Sequence, residues 1–136
     1  MKKILPLALL FSLSLSACAN ERTYSTNEVK LSLINDNGVC QAVSQGNLKT
    51  PLLVSWPCNF HKKPSGAVRV YKEKGVSYIL IESSSPHPDL PNDCLTQLQS
   101  VSINKSVVKF SEYKDTVASC PPFQWDKHVL TGLFSA

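Results

Sequence analysis

Val76-Ser77-Tyr78-Ile79-Leu80-Ile81-Glu82 is the stretch that decides the class of fold. It has β-branched and aromatic side chains, no proline or glycine, and a length suited to a strand. Just before it, Glu73-Lys74-Gly75 has turn chemistry. Ala67 to Lys72 alternates, with Ala67, Arg69 and Tyr71 on one face and Val68 and Val70 on the other. The two runs are expected to pair as a hairpin.

Outward from this hairpin the pattern repeats. Val29, Leu31 and Leu33 alternate with Lys30 and Ser32, and Asp36-Asn37-Gly38 supplies a tight turn back into Val39 to Val43. Leu52 to Trp56 is a short apolar run ended by Pro57, and Lys63-Pro64-Ser65-Gly66 is another turn. Leu95 to Ile103 and Ser106 to Glu112 flank Asn104-Lys105 as a further hairpin. Between the hairpins, Ser83 to Asp93 carries Pro86, Pro88 and Pro91 and reads as a long, stiff loop. Phe123 to Phe134 reads as a last strand or a short C-terminal helix, and Gly132 weakens both readings. The expected fold is all-β: a small disulfide-stapled barrel or sandwich of about seven short strands.

The chain has 136 residues, enough for a single domain. With 43% hydrophobic and 18% charged residues it is neither disordered by composition nor a polytopic membrane protein. The formal charge is +4, from 14 basic and 10 acidic residues. Removing Lys2 and Lys3 with a leader leaves 12 − 10 = +2. The remaining basic residues form no long cluster, so a nucleic-acid partner is not expected.

Met1-Lys2-Lys3 is a positive start, and Ile4 to Leu15 is a mostly apolar run too short to span a bilayer. Leu15-Ser16-Ala17-Cys18 resembles the lipobox of bacterial lipoproteins, a likeness confined to residues 1–18. The resemblance implies that residues 1–17 are a signal peptide and that Cys18 is the lipidated mature N-terminus. Its acyl chains would form a lasting membrane anchor. Ala19, where many inner-membrane lipoproteins carry Asp, implies sorting to the outer membrane, on its periplasmic side. Residues 18–28 are polar and aperiodic and read as a flexible lipidated tether, leaving 29–136 as one β-rich domain.

Cys40, Cys58, Cys94 and Cys120 remain. An even number in an exported domain implies two disulfides. Three connectivities are open, and the most local, Cys40–Cys58 with Cys94–Cys120, is the expectation. Cys58-Asn59-Phe60-His61 has metal-ligand spacing, but no second pair completes a tetrahedral site, so neither metal nor cofactor is expected. Cys40…Leu52…Trp56-Pro57-Cys58 resembles one lobe of a disulfide-bonded trefoil lectin domain. Three copies would mark that fold, and the chain has one.

No catalytic constellation is complete. Ser83 to Ser85, His87 and Asp89 bring hydroxyl, imidazole and carboxylate into one segment. A triad needs them to converge from separate elements around a strained nucleophile turn. The ordinary reading is a solvated loop. Phe60-His61-Lys62-Lys63 with Arg69 and Tyr71 reads as a binding patch or as a lysine-guarded sheet edge. Trp56 and Trp125 read as core. Ser65-Gly66…Tyr71 resembles the Ser-Gly-x-x-Tyr loop of small periplasmic lysozyme inhibitors over about seven residues. The tyrosine falls two residues late, so no functional residue is carried over.

The expected function is non-enzymatic. The chain reads as an inhibitor or immunity protein that neutralises a cell-wall-directed toxin or hydrolase in the periplasm by steric plugging. An accessory lipoprotein of a secretion or conjugation apparatus is the alternative. The expected partner-binding face is Ser85, Pro86, His87 and Asp89 of the loop, with Lys62, Lys63 and Arg69.

Overall fold

The computed structural model describes residues 22–121 and 126–134. Cys18, with the whole leader, and Trp125 lie outside these residues. Strands β1 (Thr23–Ser25), β2 (Lys30–Asp36), β3 (Val39–Val43) and β4 (Lys49–Ser55) form one antiparallel sheet in chain order. Strands β5 (Asn59–Phe60), β6 (Tyr71–Glu73), β7 (Val76–Pro86), β8 (Cys94–Asn104) and β9 (Val107–Val117) form the second, with β7 and β8 central. The helix α1 (Lys127–Gly132) follows. The sheets are not closed into a barrel, so the architecture is the sandwich option.

The alternation read in the sequence is what builds the sandwich. Val29, Leu31 and Leu33 from the first sheet meet Ile79, Ile81, Val101 and Ile103 from the second, all buried, with Phe60 between them. Each such side chain contributes roughly 1.5–3 kcal/mol on burial. Trp56 is half-buried against this core, as read. Asn37 and Gly38 turn β2 into β3 with φ of 50° and 86°, and Lys74 and Gly75 turn β6 into β7 with 49° and 78°. Both are the left-handed pairs that a two-residue hairpin requires.

Cys40–Cys58 joins β3 to the residue before β5, linking the two sheets inside the core. Cys94–Cys120 ties the start of β8 to the chain after β9. Both are the local pairings. Their separations of 18 and 26 positions correspond to about 3 kcal/mol each in the chain-entropy model.

The second sheet is covered on both faces. Leu80, Leu98 and Ser100 lie opposite the main core and are fully buried. Leu130 of α1 packs over them, and Ser100 Oγ donates to the Leu130 carbonyl at 2.5 Å. Phe134 meets Tyr78 edge-on at 5.9 Å between ring centroids. The C-terminal segment is therefore a helix, with Asp126 as its N-cap accepting from His128 N.

Several expected boundaries move. Among the described residues nine strands replace about seven, because β1, β5 and β6 have three, two and three residues, too few to show a period. Thr23–Ser25, read as tether, is β1 and pairs with Lys30 to Ser32. The run from Ala67 contributes only Tyr71–Glu73 to pairing, apart from one bridge between Lys62 and Val68. β9 continues past Glu112 to Val117, and Ser83–Pro86 belongs to β7 rather than to a loop. Proline is tolerated at Pro86 because it terminates the strand, opposite Cys94.

Candidate functional site

The loop that remains is His87–Asp93, and its conformation is held from within. His87 N donates to the Asp93 carbonyl at 2.9 Å, and Asp93 N to the Leu90 carbonyl at 3.1 Å. The His87 ring accepts at Nδ1 from Asp89 N at 3.0 Å and from Leu90 N at 3.2 Å. Its base is clamped by the Pro86–Cys94 pairing and by Cys94–Cys120. The Cys120 sulfur also lies 3.8 Å from the Asn92 carbonyl. Leu90 stands 46% exposed at the tip, flanked by exposed Pro88, Asp89 and Pro91.

This geometry removes the triad reading. His87 Nδ1 is spent on backbone amides, and Ser85 sits exposed near the end of β7, paired with Leu95 and without a bond to the ring. Ser83 is buried in the sheet. Ser84 Oγ bonds Thr96 Oγ1 at 2.6 Å, and Thr96 in turn donates to the Ser119 carbonyl. These hydroxyls tie the C-terminal segment to the sheet.

The second patch is a separate feature. Asn59, His61, Lys62, Lys63, Glu82 and Pro121 line a cleft of about 440 Å³ on the flank of the second sheet. At its floor His61, 3% exposed, donates from Nδ1 to Glu82 Oε2 at 3.1 Å, with Glu82 14% exposed. β5 exists because its two residues pair with Ile81 and Glu82, and this places His61 beside the carboxylate. Lys63 heads the expected turn, with Gly66 at φ 89° and Lys63 N bonded to the Ala67 carbonyl at 2.8 Å. Arg69 is half-buried behind this turn, its amide bonded to the His61 carbonyl at 2.9 Å.

The seven residues expected to share a face are thus divided. Ser85 and Pro86 end a strand, His87 and Asp89 shape the loop, and Lys62, Lys63 and Arg69 belong to the flank. Glu82 of the cleft lies four residues before Pro86, about 13 Å along β7. Cys58, a zinc candidate by spacing, is in a disulfide, and no group of three metal-ligating side chains occurs among the described residues. Two participants escaped sequence reading. Leu90 is a lone leucine among polar residues, a weak signal for an exposed tip. The His61–Glu82 pair spans 21 positions and leaves no local trace.

Among the described residues that line the cleft there is no hydroxyl or thiol to act as a nucleophile beside the imidazole. The His87–Asp93 loop offers shape instead of chemistry: a stiff, exposed turn with an aliphatic tip. Compared with family models, with curated protein sequences and with solved structures, the chain finds no match.

Proposed function

We propose that this chain is a non-enzymatic binding protein, an inhibitor or immunity protein that plugs the cleft of a cell-wall-directed toxin or hydrolase. It acts from a lipid anchor at Cys18 on the periplasmic side of the outer membrane. The observation that carries this reading is the His87–Asp93 loop, ordered by its own backbone and by the His87 ring, with Leu90 exposed at its tip. A loop ordered before it binds loses little entropy on docking. Its aliphatic tip can enter an apolar subsite, while Cys94–Cys120 holds the ends in place.

The test is affinity capture of a partner by the full chain in detergent, followed by calorimetry. Replacing Pro88 to Pro91 with a Gly/Ser segment should weaken binding roughly tenfold or more, about 1.4 kcal/mol, with circular dichroism unchanged. Equal affinity would show that the loop is only a connector. Capture of components of a secretion or conjugation machine would favour an accessory role.

A further inference from the structure

The two sheets differ in what lies on their outer faces. The second sheet has α1 packed against β7 and β8. The first has no such cover among the described residues, yet its outward positions are not uniformly polar. Register puts Ile34 opposite Gln41 and Gln41 opposite Pro51, with Val43 one row to one side and Val39 one row to the other. Leu53 follows Pro51 on the same face of β4. These side chains share one surface, because the residues that alternate with them, Leu33, Cys40, Ala42, Leu52 and Val54, are buried on the core side. Val39 is 42% exposed and Leu53 43%, Pro51 is exposed, and Ile34 and Val43 are half-buried. The solvated face of an antiparallel sheet is ordinarily polar at such positions. Here apolar side chains surround a single glutamine.

The rim of this face is polar and mildly basic. Lys49 lies beside Val43 and Lys30 beyond Ser32, both exposed, and Asp36 is exposed at the other end of the same face. Thr23 and Ser25 of β1 extend the face, opposite Ser32 and Lys30. Aliphatic side chains ringed by hydroxyls and lysines suit the boundary between acyl chains and headgroups. There the aliphatics leave water, and the ammonium groups stay at the level of the phosphates.

The length of chain before β1 selects this occupant. Arg22 is fixed in place: its carbonyl accepts from Leu33 N at 2.9 Å, its Nε donates to the Cys58 carbonyl at 3.0 Å, and its guanidinium lies over Trp56. Only 22 − 18 = 4 peptide units separate it from Cys18, a reach of at most about 14 Å. Gln41, at the centre of the face, is two strands across from β1 and one residue along from the level of Leu33, roughly 10 Å away. The other surfaces lie out of reach. The α1 face is on the far side of two sheets stacked about 10 Å apart, with the helix added to that. Asp36 is level with Val39 and Ser55, Ser55 N bonds Gln97, and Cys94 is three residues beyond Gln97. The Pro86–Cys94 pair is therefore roughly 20 Å farther along the strands than Leu33, and Leu90 lies beyond it. An anchor at Cys18 thus brings a bilayer against the outer face of the first sheet or its β1 edge, and of these two the face carries the aliphatic side chains.

We propose that the outer face of the first sheet, centred on Ile34, Gln41 and Val43, lies on the surface of a phospholipid bilayer. The proposal rests on the reading of Cys18 as a lipid anchor and deepens it by giving the domain an orientation. The strands lie along the membrane plane, α1 faces away from it, and the His87–Asp93 loop projects sideways, clear of the lipid and free to meet a partner.

The experiment uses the full chain as purified from the envelope, placed in vesicles of phosphatidylethanolamine and phosphatidylglycerol with a trace of phospholipid bearing a diazirine on its acyl chain. After irradiation, peptide mass spectrometry locates the carbene adducts, and the mass of the N-terminal peptide reports acylation separately. Adducts should concentrate on Ile34, Val39, Val43 and Leu53. The double variant Val39→Glu and Leu53→Glu should stay on the vesicles through Cys18 but lose adducts at Ile34 and Val43 by roughly threefold or more. If the glutamates disturb folding, Val39→Ser with Leu53→Ser should show the same direction. Adducts on Leu90, Lys109 or α1 in place of the face, or an unchanged pattern in the glutamate variant, overturn the proposal and leave the anchor standing. A face free of adducts in chains that sediment as dimers overturns it too, by assigning the face to a second copy. An N-terminal peptide without acyl chains removes the anchor, and this placement with it. Adducts on residues 87–93 would also end the plugging reading. A Pro88–Pro91 loop variant that loses a captured partner but keeps the wild-type adducts would support both.

Discussion

Gln99→Leu tests how the two sheets are joined at their open side. Gln99 is 2% exposed and faces β4 from the central strand β8. Its Oε1 accepts from Leu53 N at 2.8 Å and its Nε2 donates to the Ser111 carbonyl at 2.9 Å. Near both contacts the ladders are irregular, with register shifts between Val39 and Gln41 and between Gln99 and Val101. One amide therefore satisfies a backbone donor and a backbone acceptor that their own ladders leave over. Leucine is close in volume and removes both bonds. Orphaning the buried Ser111 carbonyl costs about 1–3 kcal/mol, and the partly buried Leu53 amide adds about 1. The gain in apolar burial offsets about 1, leaving a loss of about 1–3 kcal/mol. Urea denaturation should show the midpoint falling by about 1–2 M with the slope unchanged. Gln97→Leu is the control: its bond to Ser55 N, also 2.8 Å, is exposed, so water replaces it and the loss should stay within about 0.5 kcal/mol. Amide exchange should show Leu53 losing protection only in the Gln99 variant. Equal shifts for the two glutamines would refute the reasoning, because burial could then not be what makes Gln99 matter.

Two further outcomes are expected. Burial pushes the Tyr24 phenol above its ordinary value of 10.0, so the neutral form is favoured in the folded state. The resulting stability is fully present below about pH 10 and is lost as pH rises through the folded value. Urea midpoints measured from pH 8 to pH 11 should fall less in Tyr24→Phe than in wild type, and an identical alkaline slope would count against burial of the ring. Cys18→Ser should abolish labelling by a radioactive fatty acid and leave unprocessed precursor, and labelling that persists would remove the anchor.

Much of the scaffold was legible in the residues alone, because its causes are local. Val29, Leu31 and Leu33 alternate at the period of a strand, and Asn37-Gly38 and Lys74-Gly75 are pairs that tolerate positive φ. An even set of four cysteines pointed to two bridges, and the shortest loops are the ones closed. What the residues left open was whatever depends on partners distant in sequence. Ser83–Pro86 became strand because β8 offers a ladder from Gln97 to Cys94, and a ladder outweighs the weak strand propensity of serine. β5 is two residues long and is held by Ile81 and Glu82, not by any preference of its own. His61 found Glu82, and Gln99 found Leu53 and Ser111, only when the sheets stacked. The turns at Lys74 and Lys105 share one end although 31 positions separate them, because the β7–β8 ladder, and not residue number, sets which turns lie side by side.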